Sequence, residues 1–239
     1  MRKTLLTFAL MLIAAQAYAT DWCGKTIPGG TSVSTLKVTT LDQHQNCAGR
    51  AGIRLPPYSQ LNLNGYTISG ATGACVRSIG TKYVAVKNGL IQNCGSDGID
   101  FNTVTRPSIS NLSANSNAGS GIRCLSCTKL TLSDTYANSN TQNGVKVEYG
   151  VNNIINRVTT NFNAYGMRLI HADDVTIRDG NQSANSVFDV IFEQETSNSE
   201  AYGGFRGHVY FATGAFNNWT SHYVTCKSDG SGHGSNQCR

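Results

Sequence analysis

Helix signals are almost absent from this chain. No long stretch keeps apolar residues at i, i+3, i+4 and i+7, which argues against a helical body. Long apolar runs are scarce too: the one at Leu5 to Ala15 is too short to span a bilayer comfortably, and no other stretch comes close. No Gly-rich phosphate loop, no HExxH and no nucleophile elbow occur, which removes the chemistries those motifs carry. A large excess of one charge is missing as well. Nineteen lysines and arginines face fourteen acidic residues, and two of the cations, Arg2 and Lys3, belong to the extreme N-terminus. Any electrostatic argument therefore rests on where the charges sit. Charge, glycine and cysteine are spread evenly, and no linker or low-complexity tract precedes the Gly/Ser-rich tail at 227–239.

What is present begins with an export signal. Arg2 and Lys3 form a positive n-region, Leu5 to Ala15 an apolar h-region, and Ala17-Tyr18-Ala19 a small-residue cleavage site before Thr20. The remaining chain is long enough for one sizeable domain. All eight cysteines lie in it, and an even number in an exported chain reads as disulfides. Cys124-Leu-Ser-Cys127 lacks the second CxxC, the nearby histidines or the βαβ setting that a metal or redox pair needs.

A short pattern recurs instead: small residue, apolar, polar, apolar. It appears at Gly52-Ile-Arg-Leu55, Cys75-Val-Arg-Ser78, Gly98-Ile-Asp-Phe101, Gly121-Ile-Arg-Cys124, Gly144-Val-Lys-Val147 and Gly166-Met-Arg-Leu169. The middle polar residue falls at 54, 77, 100, 123, 146 and 168, steps of 23 with a single 22. A second column, Asn88, Asn111, Asp134, Asn156 and Asp179, also contains one short step, which places a one-residue deletion between Lys146 and Asn156. A fixed period of this size marks a repeat architecture. Each coil of three short strands cannot bury its apolar face alone, so coils stack and pair in parallel. The predicted fold is all-β: a single-stranded, right-handed parallel β-helix of about seven coils. Its interior would hold Val76, Ile99, Ile122, Val145, Met167 and Val190 in one column, and Phe101, Cys124, Val147, Leu169 and Phe192 beside it.

Leu61-Asn-Leu-Asn-Gly-Tyr-Thr-Ile-Ser-Gly70, then Val86-Lys-Asn-Gly-Leu-Ile-Gln-Asn93 and Gly98-Ile99, resemble the opening coils of right-handed parallel β-helix repeat proteins, the broad pectate-lyase-like superfamily. The resemblance covers roughly 51–195 and is specific for fold, because the superfamily hosts lyases, hydrolases, epimerases and noncatalytic adhesins. The expected organisation is a signal at 1–19, an N-terminal cap at 20–50, coils at 51–195, and a last coil with a C-terminal cap at 196–239. Expected disulfides are Cys23–Cys47 and Cys226–Cys238 in the caps and Cys75–Cys94 in the coils.

Alternation turns the middle residue of each segment outward. The outward column then reads Arg54, Arg77, Asp100, Arg123, Lys146 and Arg168, five cations and one carboxylate on rungs about 4.8 Å apart. Directly opposed like charges are destabilising, so the column suits an anion running along the helix axis, such as an acidic polysaccharide. The glycines at 98, 121, 144 and 166 would leave an open floor beside it. The competing reading is a solvated face in which Asp100 bridges Arg77 and Arg123.

In the superfamily's lyases a base removes the C5 proton of a uronate while cations, often with Ca²⁺, neutralise its carboxylate. That resemblance makes Lys146 the candidate base, with Arg123 and Arg168 as carboxylate clamps and Arg54, Arg77 and Asp100 as substrate-binding residues. No cofactor is firmly implied. Ca²⁺ is the one candidate, held by Glu148 and Asp100, which make a poor cage two coils apart. The WIDH-type strand and RxPxxR element of pectate lyases are missing, since Arg106-Pro107 lacks the second Arg. Asp173-Asp174 and Gly232-His-Gly234 follow the order of polygalacturonase-type hydrolases, but no Asn-Thr-Asp precedes them. His171 and His208 read as surface histidines. Two function classes stay open: a uronan lyase or C5 epimerase, and a noncatalytic adhesin or glycan-binding solenoid. The expected partner is an acidic polysaccharide, with no nucleic acid and no membrane after signal removal. The expected location is secreted or periplasmic, and nothing in the sequence sets the oligomeric state.

Overall fold

Segments that alternate buried and exposed residues fold as strands, because only an extended chain turns every second side chain to the same side. The computed structural model describes residues 19–202, 208–220, 225–228 and 237–238. Among them the strands form two parallel sheets, one of nine strands and one of twelve. The nine-stranded sheet runs from Ile53–Arg54 through Val76–Ile79, Ile99–Asn102, Ile122–Leu125, Asn143–Glu148, Tyr165–Ile170, Phe188–Glu193 and His208–Phe211 to Thr225–Ser228. A strand of the other sheet lies between each successive pair, so every rung is one turn of a right-handed solenoid. Seven rungs cover the region expected to coil, and two more continue beyond it.

Three separate strands per coil are expected from the spacing, and the fold modifies this. Val84–Gln92, Ser108–Asn115, Thr131–Tyr136 and Val151–Thr159 belong to one sheet but bend midway, and Asp173–Arg178 ends at the same bend. In the coil before them the two arms are distinct strands, Ser59–Asn62 and Thr67–Ser69, and both pair with Val84–Gln92. The bend falls on a left-handed residue at Asn88, Asn111, Asp134, Arg157 and Asp179, with φ between 47° and 60°.

This corrects the second column: Arg157, not Asn156, occupies the bend. Asn156 instead pairs with Ser133 below and Arg178 above. A left-handed non-glycine residue costs ~1–2 kcal/mol. Arg157 is held there by two bonds donated to Asp134, Nε to Oδ1 at 2.6 Å and Nη2 to Oδ2 at 2.8 Å. The deletion moves as well. Asn140 bonds Asn163, 23 residues on, while Asn143 already pairs with Tyr165, so the missing residue belongs to the turn between Asn163 and Tyr165.

Stacking puts like residues in register. Ile53, Val76, Ile99, Ile122, Val145, Met167, Val190 and Val209 form one unbroken buried column. Phe101, Cys124, Val147, Leu169, Phe192 and Phe211 form its neighbour. Each such side chain contributes roughly 1.5–3 kcal/mol by leaving water. At the turn before the nine-stranded sheet, buried asparagines stack instead. Asn117 Nδ2 donates to Asn140 Oδ1 at 3.0 Å, Asn140 to Asn163 at 3.1 Å, and Asn163 to Asn185 at 3.1 Å. The same oxygens accept backbone N–H groups of Asn117, Asn140 and Asn163, which satisfies the buried turn.

Residues 20–50 add pairings of their own on top of the first coil. Thr26 bridges to Arg54, Lys37–Thr40 pairs with Ser59–Asn62, and Gln45–Asn46 with Ile68–Ser69. Cys23–Cys47 and Cys75–Cys94 are joined as expected, and Cys124–Cys127 forms a third bridge, fully buried in the core. The Cys226–Cys238 pairing and His233 lie outside the described side chains. Burial in the column predicts that Phe101→Ala lowers stability by ~3–5 kcal/mol. Phe162→Ala, at an exposed position, changes it by no more than about 0.5 kcal/mol. Urea unfolding followed by circular dichroism distinguishes the two.

Candidate functional site

The outward column is real in register: Arg54 pairs with Arg77, Arg77 with Asp100, Asp100 with Arg123, Arg123 with Lys146, and Lys146 with Arg168. Above Arg168 the column continues as Ile191 and Tyr210. The crowding of cations is relieved by carboxylates. Asp100 forms an ion pair with Arg77 Nε at 3.2 Å and accepts a hydrogen bond from Arg123 Nη1 at 3.1 Å, with its own side chain only 9% exposed. Lys146 Nζ meets Glu148 at 2.8 Å, and Arg168 meets Glu193 at 2.9 Å while its guanidinium lies over Tyr165, 4.9 Å from the ring centre. Glu148 and Glu193 stand two residues along the same strands, so alternation turns them to the same outer face.

The predicted catalytic trio is therefore brought together but engaged. Each of Lys146, Arg123 and Arg168 already holds a carboxylate. The two carboxylates named for Ca²⁺, Asp100 and Glu148, are themselves bound to cations, so they do not fit a calcium site. Among the described residues no group of His, Cys, Asp or Glu could hold a metal ion. The open floor is also absent. Gly98, Gly121, Gly144 and Gly166 are buried, and a Cβ on Gly166 would sit 2.3 Å from Asp189 O. They are glycine because the turn packs against them.

The predicted binding end differs. Arg54 is exposed and makes no ion pair among the described residues, and Arg77 keeps half its side chain exposed beside Asp100. Both line a 130 Å³ cavity with Ala51, Gly52, Thr72, Gly73 and Ala74. Both also line a 380 Å³ cavity with Thr26, Leu55, Pro56, Ser78, Ile79 and Thr81. A larger cavity, 680 Å³, opens elsewhere, on the twelve-stranded sheet around Asp134, Tyr136, Arg157 and Asp179. Its Arg157 is already held by Asp134, whose carboxyl that contact keeps below the usual range.

One group escapes the spacing argument. Asp97 is buried at the turn before Asp100, and its Oδ1 accepts the Ser120 N–H at 2.7 Å. Burial pushes its carboxyl above the ordinary value of 3.8, against the lowering effect of that bond, and neighbouring Asp100 adds to the rise. Asp173, from the hydrolase-like pair, accepts from Ser197 at 2.6 Å and Asn198 at 2.9 Å on the other sheet. His208, which reads as a plain surface histidine, has Nδ1 2.9 Å from Asp189.

The right-handed β-helix region model matches residues 30–203, and the chain belongs to that family. No curated protein sequence matches it. Among solved structures, it resembles the A-module of mannuronan C-5 epimerase AlgE4 from Azotobacter vinelandii. The identity is 12%, over 85% of this chain and 87% of that one, with a TM-score of 0.42. It also resembles a variant of the periplasmic alginate epimerase AlgG (10%, over 90% and 67%, TM-score 0.47). A third likeness is endo-xylogalacturonan hydrolase from Aspergillus tubingensis (8%, over 92% and 89%, TM-score 0.34).

Asp97 supports a pH prediction. Its folded pKa lies above the unfolded one, so its contribution is present in acid and is lost as pH rises through the folded pKa. Asp97→Asn keeps the acceptor for Ser120 and removes the ionisation. The variant gains stability relative to the parent as pH is raised from below 3.8 towards neutrality. Paired urea melts across that range check it, and a pH-independent difference would contradict it.

Proposed function

We propose that this is an exported β-helix protein that binds an acidic polysaccharide along the outer face of the nine-stranded sheet. The observation that carries the reading is the Arg54–Arg77 end of the outward column: two in-register guanidiniums that line two adjoining cavities. Guanidinium presents a planar fork that suits a carboxylate, and a rung spacing of about 4.8 Å repeats that fork along the axis. The buried disulfides fit an oxidising compartment, and the N-terminal signal accounts for reaching it, in the periplasm or outside the cell. Among the described residues no helix is long and apolar enough to cross a membrane.

A catalytic version of the same reading places β-elimination or C5 epimerisation at Lys146, and the in-register neighbours Arg123 and Arg168 favour it. It requires Lys146 to leave Glu148 when a uronate carboxylate arrives. Lys146→Ala with unchanged uronan cleavage and binding would remove that version.

Affinity measurements on pectate, alginate and chondroitin, with a neutral glucan as control, test the main reading. Arg54→Ala/Arg77→Ala lowers uronan affinity about tenfold, ~1.4 kcal/mol, and added salt weakens binding further. Equal binding to the neutral glucan, or no binding to any of the three uronans, would contradict it. Absorbance of the unsaturated product, recorded on the same samples, reports cleavage.

A further inference from the structure

Charge density is even along the chain, but its sign is not. Between residues 20 and 130 ten lysines and arginines face four aspartates. Between 131 and 202 four face nine acidic residues. Because sequence order is axial order in a solenoid, the stack is cationic at its N-terminal half and anionic at its C-terminal half.

Seven of those ten cations make no ion pair among the described residues, and three of the seven, Lys82, Arg106 and Lys129, fall on one edge. Where the chain turns from the nine-stranded sheet into the twelve-stranded one, a residue of every coil is left-handed. These are Tyr58, Tyr83, Arg106, Lys129, Asn152, Asp174, Asn198 and Asn217. Their N–H groups donate to carbonyls of the coil above: Tyr58 to Lys82, Tyr83 to Thr105, Arg106 to Thr128, and Lys129 to Val151. The corner is thus a track of aromatic, aromatic, cation, cation, amide and acid, followed by two more amides. Lys82 sits beside it, its Nζ 5.4 Å from the centre of the Tyr58 ring, and Arg106 stands the same distance over Tyr83. The two tyrosines stack at 5.3 Å and 12°. Lys82, Arg106 and Lys129 are exposed, and none makes an ion pair among the described residues. The outward column behaves differently: Arg77, Arg123, Lys146 and Arg168 each meet a carboxylate. The track also adjoins that column, because the 380 Å³ cavity reaches from Arg54 and Arg77 to Thr81.

We infer that the corner track of Lys82, Arg106 and Lys129, braced by Tyr58 and Tyr83, is a binding site for the acidic polysaccharide, which therefore occupies only the N-terminal half of the stack. This rests on the proposed function and gives it a register and a direction. The carboxylates of the chain meet unpaired, solvent-facing cations at the corner, and the tyrosine rings hold two of those cations in place. Past Lys129 the track holds no cation, only Asn152, Asp174, Asn198 and Asn217, and the carboxylates of the acidic half repel the rest of the polyanion.

Two double variants of the mature chain remove the same charge at different places. Arg106→Ala/Lys129→Ala strips the corner, whereas Arg157→Ala/Arg178→Ala strips exposed cations of the acidic half. All four side chains are exposed, and because Arg157→Ala gives up its two bonds to Asp134, thermal melting verifies that each variant keeps the fold. With pectate as the probe, the corner variant loses at least about fivefold in affinity and the control stays within about twofold. Equal losses would assign binding to net charge and overturn the inference, as would an unaffected corner variant, while both leave uronan binding by the protein intact. Failure of the unmodified chain to bind pectate, alginate or chondroitin would instead remove the proposed function itself. Salt-sensitive self-association that the corner variant abolishes, without uronan binding, would give the track to the acidic half of a second copy and also overturn the inference.

Discussion

Every strand of this protein must pair in parallel with the same part of the coil above and the coil below, at about 4.8 Å. That constraint decides what each position can hold. An apolar residue facing inward is repeated on the next rung, which builds the column from Ile53 to Val209 and the aromatic layers at Phe101, Phe192 and Phe211. A buried polar residue must be repeated too, or left without a partner. The asparagines at 117, 140, 163 and 185 meet this condition because one amide both donates and accepts along the axis.

The same constraint creates a difficulty outside. A charge at an outward position faces its counterpart at the separation of one rung, where like charges destabilise the sheet. The protein places carboxylates to relieve this: Asp100 within the column, Glu148 and Glu193 one outward position along. Where no carboxylate is supplied, at Arg54 and on the corner at Lys82, Arg106 and Lys129, the cations remain open to an external anion. Function in this account follows from the rungs whose charge the fold does not neutralise.

Much of the fold is legible in the sequence because stacking forces like residues to recur at 22 or 23. Val76, Ile99, Ile122, Val145, Met167 and Val190 are visible as a column before any coordinates, and so is the outward column. The bend residue at 157 is not, since Asn156 beside it has the expected chemistry while Arg157 takes the left-handed geometry and is held by Asp134. The glycines beside the column recur for close packing rather than for access, a distinction that only the Cβ environment makes. Asp97 is hidden because its character comes from burial at a turn. Glu148, by contrast, is legible from alternation alone, and Glu193 could have been read the same way. The polarity of charge was likewise present in the residue order, but an even density of charged residues conceals it.

The central claim is that a polyanion lies along the cationic, N-terminal half of the stack and not over Lys146 and Arg168. Amide hydrogen exchange of the mature chain with and without pectate maps this directly. The account predicts added protection across 53–58, 76–83 and 105–129, with exchange unchanged across 143–148 and 165–178. Protection centred on the strands Asn143–Glu148 and Tyr165–Ile170 would contradict it.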